Sequence, residues 1–225
     1  MKGIIDLFFP SFCHLCGSPM APHERFICTA CSETLPRTGY HRNLRNPMEA
    51  RFAGLFPFVA ATGHFFYSRD SSLATLIQDM KYRHYPSIGN LLGRIAGEEL
   101  FMSGFLNDID VIVPLPMHFF KKSVRGYNQT DRIAAGLSEA TGIPVNNALI
   151  MRRQRKSQTA LSRTQRMENA KDLFKPRRQY DLNGKGVLLV DDICTTGTTM
   201  ASAAKALTDA FPGMRLYLFS LGVTF

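Results

Sequence analysis

The chain alternates short apolar runs with amphipathic stretches. Val187-Leu188-Leu189-Val190 follows Gly186 without a polar interruption and predicts a strand buried on both faces. Met200–Leu207 behind it reads as helix. Asp110–Met117 predicts a second buried strand that ends in a proline-stiffened loop. Leu73, Leu76, Ile77 and Met80 share one face of a helix from Ser71 to Met80. A second helix runs from Ser87, its N-cap, to Leu100, with Ile88, Leu91, Leu92, Ile95 and Leu100 as core. A third starts at Asn128 or Thr130 and reaches Ala140. Leu55–Ala61 and Gly63–Tyr67 read as two short strands of a hairpin, and Val145–Met151 and Met214–Leu221 as further strands. Strands alternating with helices predict an α/β fold with a mostly parallel sheet. Residues 34–54 break the pattern. Pro36, Gly39, Asn43, Asn46, Pro47 and Gly54 punctuate a polar, basic stretch that reads as a connector. Two units are therefore expected, 1–50 as an N-terminal module with its connector and 51–225 as the main domain.

Composition narrows the class. A chain of 225 residues, 45% hydrophobic, can hold one good core and a small appendage. No apolar run reaches 18 residues, so no membrane span is expected. The stretch Met1–Pro10 is interrupted by Asp6 and closed by Pro10, with no small-residue cleavage site after it, so a cytoplasmic protein is expected. The net charge is +9 and uneven. Between Met151 and Tyr180 ten Lys and Arg face only Glu168 and Asp172, a net +8. Such a run attracts phosphates, on a small ligand or on nucleic acid.

Four of the five cysteines fall in two C-x-x-C pairs, Cys13/Cys16 and Cys28/Cys31, eleven residues apart. Each pair can fold a tight turn that aims both thiolates at one ion, and Gly17 supplies a permissive backbone after the first. A closed tetrahedral Zn2+ site, structural rather than catalytic, is expected. Two disulfides are the alternative, disfavoured because nothing indicates secretion. His14 and His23 are expected to be exposed neighbours.

The chemistry concentrates after the first strand. Asp191 and Asp192 end the apolar run, Ile193 and Cys194 follow, and Thr195, Thr196, Gly197, Thr198 and Thr199 lead into the helix. A strand that passes through a small-residue loop into a helix offers free N–H groups and the positive end of the dipole to a phosphate. The carboxylates would face another part of the ligand, such as sugar hydroxyls or a bridging Mg2+. Cys194 reads as a small packing residue, and Lys121-Lys122 as a solvated pair.

This segment resembles the phosphoribosyl-pyrophosphate (PRPP) motif of type I phosphoribosyltransferases. Pro114–Met117 paired with Arg125-Gly126-Tyr127-Asn128-Gln129 narrows the resemblance to the ComF family (ComFC and GntX-like proteins). The four-cysteine module and Arg153, Gln158, Leu161, Arg166 and Asn169 belong to the same pattern. The resemblance implies a Rossmann-like type I phosphoribosyltransferase fold behind a zinc-ribbon-like module. It implies that Asp191 and Asp192 hold the ribose and metal, and that the loop 193–199 holds the 5′-phosphate. The Pro114–Met117 loop, Leu115 and Pro116 included, would meet pyrophosphate with its backbone amides, with Lys81, Arg125, Arg153 and Arg166 as candidate cations. The segment 152–166 would act as a hood over the reaction. A single Gly197, where many relatives of this fold have a pair, leaves open PRPP itself or a nucleotide.

The expected function is a Mg2+-dependent phosphoribosyl transfer with pyrophosphate release, linked by family to competence and DNA uptake. The alternative is a non-catalytic protein of natural transformation that senses PRPP or binds single-stranded DNA. Competence proteins such as a DNA-uptake helicase would then be its partners. Only Phe174 and Tyr180 could stack on bases within the basic segment, which weakens the DNA alternative.

Overall fold

The computed structural model describes residues 11–83, 85–117, 126–152 and 173–224. Its centre is a parallel sheet in the order β1-β6-β5-β2, built from β1 (Ala60–Phe66), β2 (Val111–Pro114), β5 (Gly186–Cys194) and β6 (Arg215–Val223). Alternation along β5 sends Leu188 and Val190 to one face and Val187 and Leu189 to the other. The first face packs on α3 (Ser72–Tyr82), α4 (Ser87–Met102) and α5 (Gln129–Thr141) through Leu73, Ile77, Leu92 and Ile133. The second packs on α2 (Pro47–Phe52) and α6 (Thr198–Ala210), and on a two-stranded antiparallel pair, β3 (Leu149–Met151) with β4 (Phe174–Pro176). Both faces are covered, which is why β5 reads as an unbroken apolar run. Among the described residues, no helix is long and apolar enough to cross a membrane.

The predicted strands and helices hold in outline, with three differences. The expected hairpin at 55–67 is one strand, β1, that pairs in parallel with β6. Gly63 is no turn residue: a Cβ there would lie 2.6 Å from Val223 Cβ, so the glycine marks close packing between strands. Ser87 is the first residue of α4 rather than its cap, a position taken by Pro86. The stretch read as a connector contains a 3-10 turn (Tyr40–Arg42) and α2. Asn46 starts α2 by accepting the N–H groups of Met48 and Glu49. Met48 and Phe52 on α2 are fully buried.

Short segments line both margins of the sheet. On the β1 side, Thr38 N–H donates to His64 O at 2.9 Å and Phe66 N–H to Pro36 O at 2.7 Å. On the β2 side, Ile112 N–H donates to Pro144 O at 2.9 Å and Asn146 N–H to Ile112 O at 2.8 Å. The N-terminal module carries α1 (Thr29–Glu33) and sits against the α3/α4 side, with Cys13 and Ile27 buried in the same cluster as Leu76 and Ile88.

Candidate functional site

Strand β5 runs through both carboxylates to Cys194, and α6 begins at Thr198. Asp191 and Asp192 are half-buried, while Thr195, Thr196, Thr198 and Thr199 are exposed. No side chain caps α6, whose N-cap is Gly197 at φ +77°. Thr198 N–H makes a long bond to Thr196 Oγ1 at 3.5 Å, and the rest of the first-turn donors have no side-chain cap to compete with a ligand. Thr196 Oγ1 and Thr198 Oγ1 lie 3.0 Å apart and present a pair of hydroxyls beside them.

The acidic pair is folded on its own backbone. Asp192 N–H donates to Asp191 Oδ1, and Ile193 N–H to Asp192 Oδ1, each at 2.8 Å. Lys81, at the end of α3, sets its ammonium 2.5 Å from Asp192 Oδ2, with the two side chains 17% and 20% exposed. Burial first, and the charge of Asp192 second, push the Asp191 carboxyl well above its usual range, against the pull of its Asp192 N–H bond and of Lys81. Two carboxylates held this close, with burial opposing the charge on Asp191, are suited to sugar hydroxyls or a divalent cation.

The floor of the loop comes from α2, a contribution the sequence analysis missed. Arg51 Nη1 donates to Cys194 O at 3.2 Å, and Nη2 to Thr224 O at 2.6 Å, tying the ends of β5 and β6 together. Cys194 is buried and burial raises its thiol pKa, so it packs under the loop and can offer a ligand only backbone. Gly197 lies directly over α2. A Cβ there would fall 2.8 Å from Phe52 Cε1 and 3.2 Å from Arg51 Cδ. Gly197→Ala is expected to cost about 2 kcal/mol, from the left-handed backbone and the ring contact together, as read by urea denaturation.

The proline loop after β2 contributes less backbone than expected. Leu115 is buried, its N–H donates to Val190 O at 2.9 Å, and its carbonyl accepts from Asn128 Nδ2 and Thr130 Oγ1. Pro114 and Pro116 have no N–H, so Met117 carries the remaining amide of the four. A cavity of about 340 Å3 opens here, with Met117, Asn128, Asp131, Asn147 and Arg177 on its walls. A larger groove of about 670 Å3 lies elsewhere, between the cysteine module and α4. Of the candidate cations, Lys81 reaches the acidic pair. Arg125, Arg153 and Arg166 lie outside the described residues, as does most of the basic segment.

The four cysteines converge. Their sulfurs all lie within 4.8 Å of one another, and Cys16 and Cys28 are 3.8 Å apart. A tetrahedron with Zn–S bonds of ~2.3 Å has edges of about 3.8 Å, so the donor set fits zinc. Leu15 N–H and Cys28 N–H point at Cys13 Sγ, at 3.5 and 3.4 Å, as a turn around a metal-bound thiolate requires. Hydrogen bonds from Ser18 hold Cys16 down at about 6, whereas the sulfurs of Cys16 and Cys28 push Cys31 up to about 12. Four sulfurs this close ionise together only around a cation. All five cysteines are free thiols. His14 is not the exposed neighbour expected: its ring Nδ1 meets the buried Asp79 at 2.5 Å.

A model of the phosphoribosyl transferase domain matches residues 96–214. The chain is similar to Competence protein F of Haemophilus influenzae, 31% identical over 214 residues that cover 89% of this chain and 92% of that protein. It is similar to DNA utilization protein YhgH of Salmonella typhimurium, 28% identical over 89% of this chain and 92% of that protein. It is also similar to Competence protein ComFC of Bacillus subtilis, 22% identical over 93% of this chain and 76% of that protein.

Proposed function

The chain belongs to the phosphoribosyl transferase domain family, as a ComF/YhgH member, and on that premise we propose that it binds PRPP with Mg2+ and transfers the phosphoribosyl group with release of pyrophosphate. One observation carries this reading: a half-buried acidic pair stands at the carboxyl end of β5 beside a helix start with no side-chain cap, ringed with exposed threonines. The N–H groups at the start of α6 and the hydroxyls of Thr195–Thr199 hold the 5′-phosphate. Asp191 and Asp192 face the ribose hydroxyls. Lys81 offsets part of the repulsion between those carboxylates and an incoming polyanion. Mg2+, when bound, supplies charge neutralisation to the departing pyrophosphate. Met117 N–H, with Arg125, Arg153 and Arg166, stabilises the same leaving group. Segment 152–166 excludes water while the sugar is electron-deficient. Zn2+ on Cys13, Cys16, Cys28 and Cys31 is structural, since four protein ligands leave no open position. The protein works in the cytoplasm.

Titration of the full chain with Mg·PRPP, followed by a pyrophosphate-release assay with each nucleobase in turn, tests this reading. Saturable binding with release for one acceptor is expected. An absence of binding would overturn the whole reading, and binding with no release for any acceptor would leave a PRPP sensor. A second reading, contact with single-stranded DNA, is favoured by the charge of +9 and by relatives named for competence and DNA utilization. Oligonucleotide binding that weakens steeply with salt supports it.

A further inference from the structure

Asp79 is a buried carboxylate with no part in the chemistry above. It lies two residues before Lys81 on α3, and its side chain is 3% exposed. His14, between Cys13 and Cys16, holds it from the cysteine module at 2.5 Å, and Arg83 Nη1 approaches its other oxygen at 3.2 Å. The His14 ring is itself wedged edge-on between Phe26 and Tyr85, with centroids 5.7 and 4.9 Å away. Residues two apart on a helix project about 200° from each other. Asp79 therefore faces the module while Lys81 faces the carboxyl end of the sheet and Asp192. A rotation of this turn about the helix axis moves both contacts together. The turn is also held by Tyr127, whose hydroxyl donates to Met80 O.

We propose that the Cys13–Cys16 knuckle is a latch on the acidic pair: through His14 and Asp79 it fixes the rotation of the last turn of α3, and so keeps the Lys81 ammonium on Asp192. His14 and Asp79 are positioning residues, and neither reaches the phosphate loop. The metal-loaded module then does more than stabilise the front of the molecule. It sets how much negative charge β5 shows to a ligand. The value of the latch for PRPP rests on the function proposed above, but the latch itself is measurable without PRPP.

The test is acetic anhydride labelling of the full-length, zinc-loaded protein, with acetylation of Lys81 read by mass spectrometry against Lys205, an exposed lysine paired to Asp209. His14→Ala is expected to raise Lys81 labelling roughly fivefold, the scale of a partly exposed ion pair, with zinc content unchanged. His14→Asn places an amide N–H near the position of Nδ1 and should return the labelling towards wild type, which a general loosening of the module would not. Asp79→Asn, remote in sequence from the cysteines, should raise labelling as His14→Ala does and serves if the His14 variant loses zinc. Affinity for Mg·PRPP should fall in parallel. Wild-type labelling of Lys81 in both His14→Ala and Asp79→Asn overturns the latch. If the wild-type protein fails to bind Mg·PRPP, the pocket reading falls while the labelling still decides the latch.

Discussion

Replacing both carboxylates of β5, as Asp191→Asn with Asp192→Asn, is expected to weaken Mg·PRPP binding by at least about a hundredfold without unfolding the protein. Hydrogen bonds to a charged acceptor are each worth ~1.5–3 kcal/mol, so two lost together reach that factor. The fold should tolerate the change because Asp191 is a strained place for a charge. Burial and Asp192 raise its folded pKa above the unfolded value. The folded chain then binds a proton that the unfolded chain releases. This stabilisation is complete below the ordinary aspartate pKa and is lost as pH rises through the raised folded value. The ligand-free wild type should lose stability across that window, and the double variant should lose less. Lys81 loses its partner in the variant, a smaller cost at a site that is partly exposed. Binding that needs Asp191 ionised should in turn strengthen as pH rises through the same window. Calorimetry for affinity and thermal melts from pH 4 to pH 8 measure both. Affinity within about threefold of wild type would remove the acidic pair from the ligand site.

Stripping the metal is the second large effect. The purified protein is expected to hold one zinc per chain, and a strong chelator should lower its thermal midpoint by roughly 5–10 °C, at ~2–4 °C per kcal/mol for a chain of this size. The module has little else to hold it. Among the described residues, the regular structure around the cysteines is the five-residue α1 and two isolated bridges, Phe12 with Pro19 and Arg25 with Ile27. Too little apolar surface is enclosed there to offset chain entropy without a central ion. The effect should extend past the module, because Cys13, Ile27 and Leu35 belong to the cluster that packs α3 and α4 against the sheet. Cys16→Ser should reproduce the chelator result. A metal-free preparation that melts at the same temperature would remove zinc from the structural account.

What could be read from the chain divides by range. The β5–loop–α6 unit was legible because its signals are local and ordered: an apolar run, two carboxylates, small residues, a helix. The cysteine site was legible for the same reason, since each C-x-x-C pair forms its own turn. The floor of the loop was not. Asn46-Pro47 is a sound helix start, an N-cap followed by proline in the first turn, yet among so many turn residues it reads as loop. Only the fold reveals that Arg51, 143 residues from Cys194, and its neighbour Phe52 end up beneath Gly197. The hairpin read at 55–67 has a like cause: a glycine needed for close packing, as Gly63 is, and a glycine that marks a break between strands look the same in one sequence. The contact between His14 and Asp79 spans 65 residues, and neither partner carries a local sign of it. Leu115 shows the limit from the other side. Its place in a proline loop suggested a free amide, and the neighbouring strand had already claimed it.

The segments along the two margins of the sheet limit how this protein can meet others. Residues 36–38 occupy the outer side of β1, and residues 144–146 occupy that of β2. Neither flank of the sheet leaves a long ladder of open backbone groups for a foreign strand to extend. Among the described residues, a companion molecule is therefore expected to meet the central sheet through side chains rather than by adding a strand to it.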